Sequence, residues 1–513
     1  MIDPVAGSTN HGPMNSRISA RDRDPVFAIP LTLPAAGSGQ LTGTLHRQLR
    51  AAIIDGRLAA GTAMPSSRKA ADALGIARNT AVAIYDLLIA EGYLLPRKGA
   101  RPVVADIAMR HPRVRAAPKG AATQLRKQIV APTWQSPSAA PHAPQPLPPR
   151  SFRLGVPEHR HFPHEIWRRL NARAWRRWSK HPFDHPPIEG IPPLREAIAH
   201  HVAFARAVAC TGDDVVVTSG AQQAFDLLAR LLVTPAVTRV AVEDPGYEPL
   251  RRAFQAAGAR LVPVPVDDEG LRVDLLPTDV RVICASPSHQ SPTGVALSMS
   301  RRAALLAHAR MHDAVVIEDD YDGEFRYSSR PLDALQTLDR DARVFYVGTF
   351  SKSMFPAMNA GFVVSPSWAR DALLAVKRVT ETHSAGPLQE ALAEFIREGH
   401  LARHIRKMTA TYAERREALL EGLHVDLHRW LEAIPSIAGI HLAAKIDAGA
   451  NLRAVVDAMH RHLPGAEVVP GDSTRPGAPS IVAMGFGVID VEDIRPAIRR
   501  VSMMLSRNQP DGR

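Results

Sequence analysis

Apolar residues in the first hundred positions recur at helical spacing and then give way to short runs. Leu41, Leu45, Leu49 and Ile53 share one helical face, closed by Asp55-Gly56. Pro65-Ser-Ser-Arg68 predicts the start of a second helix, with a serine able to cap it, Ala70, Ala71 and Leu74 turned inward, and a turn at Gly75. A third helix is expected from about Arg78 to Ala90, with Val82, Tyr85 and Ile89 on its buried side and Glu91-Gly92 as its stop. Tyr93-Leu-Leu95 and Pro102-Val-Val104 then flank Pro96-Arg-Lys-Gly-Ala-Arg101, a hairpin with a basic tip. Three helices and a basic hairpin make a winged helix-turn-helix.

From about residue 151 the pattern changes. Continuous apolar runs at Asp214–Ser219, Arg239–Glu243, Arg281–Ser286, Ala314–Glu318 and Val344–Gly348 predict buried strands, and Ala221–Leu232 and Ser300–His312 predict helices between them. Such alternation implies an α/β domain built on a largely parallel sheet covered on both faces. Ligands bind such sheets at the carboxyl ends of the strands. The two patterned regions, 26–104 and 151–508, are separated by residues 105–150, which carry Arg110, Arg113, Arg115, Lys119, Arg126 and Lys127 and then a run of prolines. That stretch is expected to be an extended linker, and residues 1–25 a disordered tail.

Composition narrows the choice of partners. A net charge of +12 over 513 residues favours a polyanion. Two cysteines, Cys210 and Cys284, cannot build a disulfide framework or a zinc site, which points to a reducing compartment. Neither a signal peptide nor a membrane-length apolar run is evident, so a cytoplasmic protein is expected.

Candidate chemistry follows the elements. Arg78, Asn79 and Thr80 open the third helix, where a recognition helix meets base edges; Arg68, Arg97, Lys98 and Arg101 suit phosphates or a groove of double-stranded DNA. In the large domain Ser219-Gly-Ala-Gln-Gln223 follows a strand and opens a helix, a position that suits a phosphate. Tyr247 sits in the loop after the next strand, able to stack on a ring. Asp319 and Tyr321 end another strand two residues apart, so their side chains can project the same way. A metal pair at Asp319-Asp320 lacks a supporting His or Glu cluster in the sequence, and no metal is expected. Lys352, in a Ser-rich turn after a buried strand, is an amine able to form a Schiff base with an aldehyde cofactor.

Residues Leu58-Ala-Ala-Gly61, Pro65-Ser-Ser-Arg68, Arg78-Asn-Thr80 and Glu91-Gly-Tyr93 resemble the GntR family of bacterial DNA-binding domains. Residues 151 to about 505 resemble fold-type I aminotransferases through Pro193–Ile198, Val217–Gln223, Glu243–Tyr247, Pro287–Gly294, Ile317–Tyr327 and Gly348–Lys352. The two together resemble the MocR/GabR-type regulators. The resemblance implies that Lys352 holds pyridoxal 5'-phosphate, with Asp319 on its ring nitrogen, Tyr321 on its phenolic oxygen and Tyr247 along the ring. It places Ala221, Gln222, Thr349 and Ser351 at the phosphate. It also implies a head-to-tail homodimer and a small amine, an amino acid or pyridoxal phosphate itself as effector. Three positions depart from the family pattern: Asn359 replaces an Arg seven positions after the lysine, no Tyr occurs between Tyr93 and Tyr247, and Ile481–Phe486 lacks a carboxylate-binding Arg, Arg475 being the nearest before it. A working aminotransferase, or a regulator whose large domain only dimerises, therefore stand beside a cofactor-responsive regulator, with transaminase activity expected to be absent or vestigial.

Overall fold

The computed structural model describes residues 26, 27, 29–34, 40–106, 128–131, 134, 135, 148, 150–180, 185–327, 333–471 and 479–507. The expected tail over 1–25, most of 105–150 and Arg475 lie outside these residues. The chain divides into two compact units, Met1–Ala140 and Pro141–Arg513.

The first unit contains α1 (Leu41–Ile54), α2 (Ser67–Leu74) and α3 (Arg78–Ala90), followed by a hairpin of β1 (Leu94–Arg97) and β2 (Ala100–Val104). The Ser66 side chain accepts from the Lys69 N–H at 3.2 Å and so caps α2, a contact worth about 1 kcal/mol. Gly75 closes that helix in the left-handed conformation. In α3 the buried stripe is Ala81, Ile84, Tyr85 and Leu88. Val82, expected inside, is exposed, and Ile89 is half-buried, because the stripe that meets Leu45, Leu49 and Ile53 is rotated by one residue. Arg97 pairs with Ala100, which leaves Lys98-Gly99 as the turn and puts Arg97 and Arg101 on the strands beside it.

The second unit is built on an eight-stranded mixed sheet. Its elements in chain order are α4 (His164–Trp178), α5 (Pro192–Arg206), β3 (Val215–Thr218), α6 (Gly220–Leu232), β4 (Arg239–Asp244), α7 (Glu248–Ala256), β5 (Arg260–Asp267), β6 (Gly270–Leu271), β7 (Val282–Ala285), α8 (Met299–Met311), β8 (Val315–Asp320), β9 (Val344–Thr349) and β10 (Gly361–Val364). The strand order is β3-β10-β9-β8-β7-β4-β5-β6. Strands β9, β8, β7, β4 and β5 run parallel, as the continuous apolar runs predict. Strand β10 is antiparallel to both neighbours and is the one inserted beside β3. Alternation sorts the two faces: Val215 and Val217 join a core with Leu170, Ile198 and Phe362, while Val216 joins Phe225, Phe254 and Phe345.

After α9 (Ser367–Thr380), α10 (Gly386–Arg397) and α11 (His400–Asp426), the chain forms an antiparallel sheet of β11 (Leu431–Ala433), β12 (His441–Ile446), β13 (Glu467–Val469) and β14 (Ile481–Gly485), with α12 (Leu452–His462) and α13 (Val491–Arg507). One sheet face, carrying Leu442, Ala444, Val482 and Met484, is buried against these helices. The other carries His441, Ala443, Ala483, Glu467 and Val469. The segment that opens the unit threads past this sheet: Phe152 N–H donates to Pro464 O, and Gly485 N–H donates to Phe152 O at 2.8 Å. A side chain at Gly485 would lie 2.1 Å from the Arg153 carbonyl oxygen, so only glycine admits that approach. No single helix among the described residues is long and apolar enough to cross a membrane.

Candidate functional site

A cavity of about 620 Å³ opens at the carboxyl ends of the parallel strands. Strand β9 ends at Thr349 and leads directly into Ser351 and Lys352; β8 delivers Asp319 and, just past its end, Tyr321; the loop after β4 delivers Tyr247. Ala221 and Gln222 line the cavity from the first turn of α6. The structure thus brings all eight sequence-predicted cofactor residues to one cavity, from segments more than a hundred residues apart.

The Lys352 ammonium donates to the Gly155 carbonyl oxygen at 2.7 Å. Burial pushes its pKa down, and the nearby charges of Asp322 and Asp319 oppose that push. Gly155 has φ +67, and a Cβ there would stand 2.6 Å from the lysine nitrogen. Asp319 is buried, and no donor among the described residues reaches its carboxyl group. Burial raises that group well above its ordinary range, with Asp320, Glu243 and Asp322 adding to the shift.

Behind Tyr321 lies a group that the sequence did not bring together. His289, Asp322 and His441 offer ligand-type atoms within 4.8 Å of one another, all buried. Much of this group is already engaged: His289 Nδ1 is 2.9 Å from Asp322 Oδ1, Asp322 Oδ2 accepts from the Ile440 N–H at 3.1 Å, and His441 Nε2 lies 3.1 Å from the Pro292 carbonyl oxygen, while His289 Nε2 is buried with no hydrogen-bond partner among the described residues. Tyr321 Oη is 3.2 Å from the same His289 Nδ1. Burial, reinforced by His289, pushes His441 down to about 3, so its imidazole is neutral.

Pyridoxal phosphate fits this donor set. A protonated ring nitrogen would give Asp319 the partner that it lacks. The α6 N-terminus supplies backbone N–H groups for a phosphate, and Thr349 and Ser351 border the cavity beside it. Gly220 has φ +76, and a Cβ there would meet Asn359 Oδ1 at 2.7 Å, so the Asn359 amide rests against the helix start. Asn359 itself has φ +44, a conformation that asparagine tolerates better than most residues.

In the first unit Arg68, Arg78, Asn79, Arg97, Lys98 and Arg101 are exposed, and Thr80 is half-buried. None of the five cations forms an ion pair with another described residue. Sequence reasoning missed Gly155, His441 and Glu467, which also border the cavity. The run Leu154-Gly155 carried a turn signal, but nothing local marks His441 or Glu467.

An amine, an unpartnered carboxyl group and a phenol at the strand ends of a mixed sheet, beside a helix N-terminus, define a pyridoxal-phosphate aminotransferase fold, here on one chain with a winged helix. The comparisons agree. Residues 163–458 match the family model of aminotransferase class I and II, and residues 41–104 match that of bacterial regulatory proteins, gntR family. The chain is 37% identical over 408 residues to the probable rhizopine catabolism regulatory protein MocR of Rhizobium meliloti, covering 78% of this chain and 80% of that one. It is 30% identical over 481 residues to the pyridoxine biosynthesis transcriptional regulator PdxR of Corynebacterium glutamicum, covering 93% and 99%. Among solved structures, Pyrococcus horikoshii kynurenine aminotransferase matches with a TM-score of 0.63 and 26% identity over 70% of this chain and 91% of that one. The chain belongs to the MocR-type transcription regulators, DNA-binding proteins that depend on pyridoxal phosphate.

Proposed function

We propose that this regulator holds pyridoxal phosphate on Lys352 and reports the arrival of a small amine at that site to its DNA-reading unit. The observation that supports this most directly is the pair formed by Lys352 and Asp319, a shielded amine and an unpartnered buried carboxyl group facing one cavity. Bound pyridoxal phosphate supplies an aldehyde for amine condensation and a pyridine ring that draws electrons from it. Burial of Lys352 favours the neutral, nucleophilic amine. Asp319 holds a proton on the ring nitrogen, Tyr321 donates to the phenolic oxygen, and Tyr247 borders the ring. Ala221 and Gln222 with Thr349 and Ser351 hold the phosphate, in place of the arginine that Asn359 replaces.

Arg78, Asn79 and Thr80 read base edges, while Arg68, Arg97, Lys98 and Arg101 meet the backbone or a groove. A head-to-tail homodimer in the cytoplasm, acting on a promoter operator, completes this assignment. The test is the visible absorbance of purified protein beside Lys352→Ala. A bound-cofactor band that disappears in the variant is the expected result. No band in either protein, even with added pyridoxal phosphate, would overturn the assignment. Amino-group transfer from a panel of amines then measures how much turnover the site retains.

A further inference from the structure

The wall of the cavity formed by the C-terminal sheet carries an acid where an amino-acid site needs a base. Pairing across the sheet sets Ala443 opposite Ala483, and Ala483 opposite Glu467, so the three share one face. His441 and Val469 lie on that same face by alternation, and both border the cavity together with Glu467. Around Ala443 and Ala483 the face is apolar, filled by Val295, Ile434, Ile481 and Leu154.

The acid that the C-terminal sheet brings to this wall, Glu467, favours a cation. Among the described residues that border the cavity, Lys352 is the one basic side chain besides the neutral His441, and Glu467, Glu248 and Asp319 are acids. Lys445 shares the sheet face, but its ammonium is held by Asp268 at 2.7 Å. Burial pushes the Glu467 carboxyl up and Arg153 opposes that push; Arg153 also acts on Lys352, yet it does not border the cavity, whereas its neighbours Leu154 and Gly155 do. The Glu467 carboxylate has no hydrogen bond to any described residue.

We propose that Glu467 selects an effector whose far end carries a second positive charge, a diamine in preference to an amino acid. The inference rests on the assignment of the cavity to pyridoxal phosphate and an amine. A carboxylate at the same place would meet Glu467 with like charge and, among the described residues that border the cavity, no basic side chain besides Lys352 and the neutral His441, whereas an ammonium gains a charge-assisted hydrogen bond.

The experiment uses the full-length protein loaded with pyridoxal phosphate and two probes of matched length, 1,4-diaminobutane and 4-aminobutyrate. Binding is read by calorimetry and by the change in the visible cofactor band. The diamine is expected to bind about tenfold or more tightly than the amino acid, and Glu467→Gln is expected to remove most of that preference. Thermal melting of the variant checks its fold, and the wild-type comparison needs no variant. Equal or tighter binding of 4-aminobutyrate to the wild type, or an unchanged preference in a folded Glu467→Gln protein, would overturn the proposal while leaving cofactor binding intact. Absence of a cofactor band in the wild type would instead overturn the underlying assignment, and this proposal with it.

Discussion

Asp322 accepts the Nδ1–H of His289 at 2.9 Å, and this bond fixes the tautomer of the imidazole. Burial pushes the Asp322 carboxyl up, but His289 and the Ile440 N–H oppose burial, and the carboxyl lies below its ordinary range. An ionised carboxylate only accepts, so the proton sits on Nδ1. Tyr321 Oη, 3.2 Å from that nitrogen, can then only accept from it, and its own hydrogen is directed elsewhere. His289→Ala is expected to weaken pyridoxal phosphate binding by about 1 kcal/mol, the worth of one hydrogen bond, and to shift the pH dependence of the cofactor band. Fluorescence titration and spectra across pH measure both; two unchanged readouts would remove the orienting role.

Asp319→Asn keeps the shape of the side chain but not its charge. With a protonated ring nitrogen as partner, the loss is expected to be about 1.5–3 kcal/mol of cofactor affinity. Equilibrium titration with pyridoxal phosphate checks it. An affinity within twofold of the wild type would show that Asp319 does not carry the ring nitrogen.

Arg78→Ala and Lys98→Ala should weaken DNA binding in different ways. The first is expected to cost about 1–3 kcal/mol on the operator and to relax base preference. The second is expected to weaken all sequences alike and to lower the slope of log affinity against log salt by about one. Gel-shift titrations at several salt concentrations separate the two effects.

Glu158 and Arg415 form a buried ion pair at 2.6 Å, with Arg160 as a second partner at 2.7 Å. Burial pushes the Glu158 carboxyl up, but the hydrogen bonds from Arg160 and Arg415 outweigh it and hold it at about 2. A carboxyl group lowered on folding contributes stability that is present above its unfolded value and lost as pH falls towards the folded one. Wild-type stability is therefore expected to fall between about pH 4.5 and 2, and Glu158→Gln should flatten that part of the profile. Arg415→Ala, which leaves a buried carboxylate short of a partner, is expected to cost about 3–5 kcal/mol in chemical denaturation at pH 7.

The sequence made much of this architecture legible. Apolar runs marked β3, β4, β7, β8 and β9 because strands buried on both faces need continuous apolar side chains. Helix α3 was bounded by its stop signal, yet its buried side was misplaced by one residue, since neighbouring apolar residues such as Val82 and Ile84 both fit a helical period. Strand β10 escaped because Gly361-Phe-Val-Val364 is short and gains its partners only from distant β3 and β9. Lys352, Asp319 and Tyr321 stood out because their chemistry follows strand ends. His441 and Glu467 did not, since only the register of the C-terminal sheet carries them to the cavity.

Gly155 gives the resting Lys352 its partner, and it follows the first residue of the large unit, Pro141, by fourteen positions. The segment from Phe152 to Gly155 is clamped on its other side by Gly485 and Pro464. When the lysine nitrogen is taken up elsewhere, the Gly155 carbonyl loses its donor and must find another. A change at Lys352 is therefore met first by main chain and not by another side chain.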